Sequence, residues 1–210
     1  MDLADILNSI REEIDADDQV REKVLPLARS AVRKCSESIK QTHRGKFDEA
    51  RANLKDAYML VVQARGEIAK SSHLKKSRIL DTAYQEITEA ANLLSILEKG
   101  VFTTPKDYEI PSRPYLTGLA DTIGEIRRAI LEKLRNDEIV EAEKLLAIME
   151  HIFEELNSFD YPGALIPDLR RKCDVARSII ERTRGDVTTA VRQDRLVNEI
   201  RKYEEDLRRE

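Results

Sequence analysis

Apolar positions recur at three- and four-residue steps along almost the whole chain, the spacing that lays one stripe along an α-helix. Residues 3–14 form a short amphipathic segment, and Asp15, Asp17 and Asp18 then offer N-cap chemistry for a longer helix from Gln19. In that helix Val20, Val24, Ala28, Ala31, Cys35 and Ile39 draw the stripe, and Pro26 removes the bond to the Glu22 carbonyl and should kink the axis. His43-Arg44-Gly45 ends it. From Phe47 to Lys70, Ala50, Leu54, Ala57, Val61, Ala64 and Ile68 repeat the pattern. After Ser71-Ser72 a third helix is predicted to run to Glu98, with Ile79, Leu80, Ala83, Ile87, Ala90, Leu94 and Leu97 on its apolar side.

The stretch from Gly100 to Pro114 holds three of the six prolines and reads as the one substantial loop. Two further amphipathic helices follow, Tyr115–Arg135 and Asn136–Asn157, the second capped by Asn136 or Asp137. Tyr161-Pro162-Gly163 is a turn. Pro167 suits the first turn of a helix that ends at Gly185. A last helix starts at Asp186, where Leu196, Ile200, Tyr203 and Leu207 make a narrow seam able to pair with another chain. Short connections force neighbouring helices to run antiparallel. The expected fold is all-α: a single antiparallel bundle of about seven helices over residues 1–210, with 186–210 as a C-terminal helical extension.

Composition agrees with that pattern and narrows the function. Seven Gly, six Pro, no Trp and 36% charged residues are the make-up of a punctuation-poor helical chain. The balance of 36 Lys and Arg against 40 Asp and Glu leaves a net charge of −4, so any nucleic-acid site must be a local basic cluster. No basic leader precedes an apolar core at the N-terminus, and no run of 18 apolar residues occurs; the reading is a soluble, cytoplasmic protein with no membrane partner. Cys35 and Cys173 stand far apart without a C-x-x-C pair and are read as buried, reduced and structural.

The signatures of nucleotide-fold enzymes, zinc proteases and serine hydrolases are absent. His43, His73 and His151 lie in separate segments without the E-x-x-H spacing of di-iron bundles, and each is read as a surface or helix-end residue. What remains is carboxylates. Glu86 and Glu89 are three apart and Asp121 and Glu125 four apart, so each pair shares one helix face. On the wheel Asp121 and Glu125 lie opposite the stripe of Leu119, Ile123, Ile126 and Ile130 and point to water or a cavity. Glu86 flanks its own stripe, with Glu89 further out. A solvated face is the ordinary reading of such pairs. If the two helices are neighbours, four gathered carboxylates repel one another, and a hard divalent cation such as Mg²⁺, with Mn²⁺ as an alternative, is the simplest relief. Gly118 and Gly124 near the second pair suggest a close approach.

The segment Tyr115-Leu116-Thr117-Gly118-Leu119-Ala120-Asp121-Thr122-Ile123-Gly124-Glu125 resembles the Y-L-x-G-(V/L)-A-D-x-x-G-E segment of the translin family. Gln85-Glu86-x-x-Glu89-Ala90 resembles its Q-E-x-x-E-A. Order and separation also fit, and weaker similarity runs from Asp5 to Arg184-Gly185. The resemblance implies a translin-like helical fold closing into an oligomer, often an octamer, that encloses single-stranded or short duplex RNA. Since Glu86, Glu89, Asp121 and Glu125 are all acidic, it further implies the catalytic, Trax-like branch, in which these acids form a Mg²⁺-dependent endoribonuclease site acting on single-stranded RNA. The assembly is then either a homo-oligomer or one completed by a translin-like subunit. Residues 186–210 extend past the family's usual end. Basic residues for phosphate are His73, Lys75, Lys76 and Arg78, directly before the first acidic pair, with Arg29, Arg33, Lys34, Lys40, Arg44 and Lys46 as a second stretch. No aromatic-interleaved motif supports base-specific reading, so binding should be phosphate-driven and salt-sensitive. The alternatives are a translin-like RNA- or DNA-binding protein without chemistry and a helical adaptor for other proteins.

Overall fold

The computed structural model describes residues 2–208 and contains no strand among them. The α-helices are α1 (Leu3–His43), α2 (Phe47–Ile68), α3 (Asp81–Lys99), α4 (Ser112–Arg135), α5 (Ile139–Asn157) and α6 (Leu169–Leu207), with 3₁₀ turns at Leu74–Lys76 and Pro105–Tyr108. The all-α expectation therefore holds, with six α-helices among the described residues where the periodicity predicts about seven. No described helix is long and apolar enough to cross a membrane.

The boundaries that moved did so for physical reasons. An N-cap needs a non-helical backbone, and nothing between Ile14 and Gln19 breaks the helix, so Asp15, Asp17 and Asp18 sit inside one continuous α1. Pro26 also lies within α1 without ending it. The third helix starts only at Asp81, and Ile79 and Leu80 precede it. Neither Asn136 nor Asp137 caps α5: Asp137 takes a left-handed backbone (φ 59°) and its N–H donates to the Leu134 carbonyl at 3.2 Å, so both residues close the end of α4. Pro167 precedes the left-handed Asp168 (φ 67°) that opens α6, and thus stands outside the helix. Gly185 does not end a helix. Its cost of about 1 kcal/mol is outweighed because Thr183 and Val187 on either side are buried on one face, and α6 runs through to Leu207.

The chain forms two compact units, one ending at Leu119 and one beginning at Ala120. In the first, α1 and α2 are joined by three residues and pack antiparallel along small side chains, Ala31, Cys35, Ala50, Ala57 and Ala64, all almost fully buried. The buried Ser38 hydroxyl donates to the Ala50 carbonyl across this seam at 2.8 Å. Ile87, Ala90 and Leu93 bring α3 into the same core. Each large aliphatic side chain so buried contributes about 2 kcal/mol. Asn92 is buried yet satisfied: its amide donates to the Thr88 carbonyl and its oxygen accepts from the Thr103 N–H. The Tyr115 hydroxyl donates to the Thr103 carbonyl. These bonds tether the loop after α3 to the start of α4.

In the second unit the stripes of α4, α5 and α6 are buried through Ile123, Ile126, Ile130, Met149, Ile152, Ala176 and Ile180. Arg127 on α4 donates to the Thr183 hydroxyl at 2.7 Å and pairs with Asp186 at 2.9 Å, and Arg184 pairs with Glu150 of α5 at 2.7 Å. Past Val187 the burial of α6 stops. Leu196, Ile200, Tyr203 and Leu207, the predicted seam, are all exposed, and at the other end of the chain so are Leu3, Leu7, Ile10 and Ile14.

Candidate functional site

Glu86 and Glu89 lie on the central turns of α3 and are half-buried. The buried Cys35 of α1 feels both. Its thiol is pushed far above the ordinary cysteine range, first by burial and then by the negative fields of Glu86 and Glu89. That places the two carboxylates beside the α1 side of the first unit, at the edge of its core.

The turn carrying Glu86 is held tightly against α4. A Cβ at Gly118 would stand 2.5 Å from the Gln85 carbonyl oxygen and 2.7 Å from the Thr88 Cβ, so only glycine lets the backbones approach this closely. A Cβ at Gly124 would meet nothing within 4 Å, so that glycine has no such role. Asp121 follows Gly118 by three residues on the same helix.

In the second unit Asp121 and Glu125 share one face of α4, with side chains 33% and 25% exposed. The wheel directs Asp121 towards water or a cavity; the structure instead sets it against Lys172 of α6. The Lys172 ammonium donates to both carboxylate oxygens, one at 2.6 Å and the other closer still. Lys172 is only 17% exposed. Glu125 has Arg128 one turn away at 3.6 Å. The sequence reading missed Lys172, although a signal was present: Arg170-Arg171-Lys172 puts three cations in the first turn of a helix, where the macrodipole disfavours them.

Among the described residues no group of three or more His, Cys, Asp or Glu side chains is assembled to hold a metal. The donors nonetheless suit a hard cation. Each face offers a pair of carboxylates, and Mg²⁺ is commonly held by one or two carboxylates with its remaining positions filled by water and phosphate oxygens. The Lys172 ammonium takes both oxygens of Asp121, so that carboxylate's charge is balanced within the chain.

The basic residues divide into two kinds. His73, Lys75, Lys76 and Arg78 are all exposed on the connection between α2 and α3. Leu74 and Leu80 anchor this connection by burial, and the Ser71 hydroxyl accepts from the Leu74 N–H and donates to Asp17. Arg78 pairs with Asp81 at 2.6 Å, while Lys75 and Lys76 have no ion pair among the described residues. The second stretch has three of its six cations paired with carboxylates: Lys34 with Asp56, Lys40 with Glu37 and Lys46 with Glu49. It behaves as solvated surface. The histidines remain apart, His43 at the end of α1, His73 before the 3₁₀ turn and His151 exposed on α5.

No family model matches the chain. The uncharacterised protein MJ0175 of Methanocaldococcus jannaschii is 31% identical over 202 residues, which span 95% of this chain and 89% of that one. The fold superposes on the structure of AfC3PO with duplex RNA at a TM-score of 0.78 and 32% identity, covering 88% of this chain and 95% of that one. AfC3PO alone gives a TM-score of 0.79 and 33% identity over 88% and 96% of the two chains. Apo-NeC3PO matches at 0.78 over 88% and 96% but at 20% identity, and so speaks for the fold alone. With a third of its residues shared along almost the full length of AfC3PO, the chain belongs to the translin family, in its C3PO form.

Proposed function

We propose that this protein is a metal-dependent endoribonuclease of the catalytic, Trax-like kind, acting on single-stranded RNA within a self-associated helical assembly. The observation that carries the reading is the pair of acidic faces, Glu86 with Glu89 on α3 and Asp121 with Glu125 on α4. A relative solved with duplex RNA supports RNA as the ligand. Exposed apolar stripes at Leu3–Ile14 and Leu196–Leu207 support self-association, since an assembly would cover them. A homo-oligomer, of which an octamer is one form, needs no translin-like subunit.

Mg²⁺, or Mn²⁺ in its place, would be held by carboxylates drawn from these four and would supply charge stabilisation at the scissile phosphate and a more acidic water. The protein's own tasks follow. Lys75 and Lys76 neutralise phosphates and bring the strand in. A carboxylate not engaged in holding the ion accepts the proton of the attacking water. As the new phosphorus–oxygen bond forms, the bond to the leaving ribose oxygen breaks, and that oxygen takes up a proton.

The test is cleavage of a labelled single-stranded RNA with Mg²⁺ or with EDTA, by wild type and by the double variant Asp121→Asn, Glu125→Gln. Loss of cleavage under both EDTA and mutation, with RNA binding retained, is the expected result. The second reading, RNA binding without chemistry, is favoured by the absence of a three-residue metal cluster among the described residues and by the Lys172 charge on Asp121. Wild type that binds this RNA and leaves it intact with Mg²⁺ and with Mn²⁺ establishes that reading instead.

A further inference from the structure

The sequence carries no motif in which aromatic and basic residues alternate, but the second unit brings the same components together in space. The chain has only four Phe and six Tyr, and Phe159 and Tyr161 both stand on the connection after α5, 40% and 60% exposed. Backbone turns hold them there: the Phe159 N–H donates to the Leu156 carbonyl at 3.2 Å and the Tyr161 N–H to the Phe159 carbonyl at 3.1 Å. Their rings meet at a tilt of 53° with centroids 6.2 Å apart, within the range of an interacting aromatic pair. Together with the first turns of α6 they line a cavity of about 740 Å³. From α6 come Arg170, Asp174 and Arg177, four and then three residues apart and so on one helix face. Neither arginine forms an ion pair among the described residues, and Arg177 lies over the Phe153 ring at 5.6 Å.

We propose that this cavity is a stacking pocket for an unpaired nucleotide of single-stranded RNA. Every base has a π-face, and Phe159 and Tyr161 offer rings on which it stacks. Arg170 and Arg177 carry planar guanidiniums that donate to the flanking phosphate or lie against the base. Asp160 and Asp174, in the same lining, accept from N–H groups on the base edge. Two guanidiniums against two carboxylates leave the lining neutral, which suits a nucleotide, with its donor edge and its anionic phosphate, better than a bare anion. A duplex keeps its base faces within the stack, so the pocket takes unpaired nucleotides only. The inference rests on the reading that this protein binds single-stranded RNA, and it adds stacking to the phosphate contacts of Lys75 and Lys76.

Fluorescence anisotropy of a labelled oligouridine and of a blunt RNA duplex across a salt series, in EDTA so that neither is cut, tests the pocket. The double variant Phe159→Ala, Tyr161→Ala should weaken oligouridine binding about tenfold or more at every salt concentration. The slope of log affinity against log salt should stay as in wild type, because no phosphate contact is lost, and duplex affinity should not change. A second measurement needs no variant: ultraviolet cross-linking of oligouridine to the wild-type protein, read by mass spectrometry, should label the peptide that carries Phe159 and Tyr161. Unchanged oligouridine affinity in the double variant, or an equal loss on the duplex, overturns the pocket and leaves RNA binding standing. Cross-links confined to other peptides overturn it as well. Wild type that binds no oligouridine at low salt overturns both the pocket and the single-strand reading beneath it.

Discussion

Gly118→Ala is the sharpest structural test, because one methyl group is asked to fit where two atoms already stand. The new Cβ would lie 2.5 Å from the Gln85 carbonyl oxygen and 2.7 Å from the Thr88 Cβ. Ordinary carbon contacts are about 3.5–4.0 Å, so α3 and α4 must separate by roughly 1 Å locally. Neither obstacle can swing away. The oxygen belongs to helix backbone, and Thr88 is fully buried with its hydroxyl bonded to the Tyr84 carbonyl at 2.8 Å. Overpacking of this kind costs about 1–3 kcal/mol, against which alanine recovers about 1 kcal/mol of helix propensity. The net expectation is a loss of roughly 0–2 kcal/mol, or a fall in Tm of up to about 8 °C for a chain of this size. Gly124→Ala is the control: it meets nothing within 4 Å and should raise Tm by about 2–4 °C through propensity alone. The turn displaced by Gly118→Ala carries Glu86, so RNA cleavage should fall in that variant and not in Gly124→Ala. Thermal melts of the two variants decide the matter. If Gly118→Ala melts at or above Gly124→Ala, the close approach of α3 and α4 is not what requires glycine at this position.

Cys35, with its thiol raised by burial and by Glu86 and Glu89, should resist thiol reagents at pH 8 until the protein is unfolded in urea. By linkage, a raised folded-state value stabilises the fold fully below the ordinary cysteine value of about 8.5; Tm should fall as pH climbs beyond it, joined by the raised Tyr84 and Tyr108, and Cys35→Ala should flatten the first part of that fall. Replacing Lys75 and Lys76 together by Gln should weaken single-stranded RNA binding and lower the slope of log affinity against log salt by about 1.4, as read by fluorescence anisotropy across a salt series. An unchanged slope would return both lysines to plain solvated surface. Arg127→Met should cost only about 1 kcal/mol in urea unfolding, because the Thr183 hydroxyl keeps its bond to the Ile179 carbonyl and the half-exposed Asp186 rehydrates. A loss of 4 kcal/mol or more would show that this staple organises the unit.

Helix periodicity was legible because a stripe must be apolar to be buried, and the residues that draw it are local neighbours on one face. Ala50, Leu54, Ala57, Val61 and Ala64 of α2 are buried as their spacing predicts. Helix ends were less legible. Gly185 looks like a stop when only its propensity is weighed, but the buried neighbours Thr183 and Val187 reward continuation. Asn136 and Asp137 have the chemistry of an N-cap and are used to end the preceding helix. Capping residues favour several local structures of nearly equal energy, and packing chooses among them.

The candidate site divides along the same line. The same-face pairs Glu86 with Glu89 and Asp121 with Glu125 follow from spacing along a helix, whereas the connection that carries the lysines at 75 and 76 reads as helix in the sequence. The sequence alone therefore determined the all-α class, the stripes and the acidic faces, because each depends on residues within a turn or two of one another. Only the tertiary structure decided that Lys172, 51 positions away, neutralises Asp121, that Gly118 rather than Gly124 is the point of close approach, and that Cys35 lies in the field of Glu86 and Glu89. Those facts depend on which helices pack together and at what distance, and no local preference in the chain encodes a distance between residues so far apart in sequence.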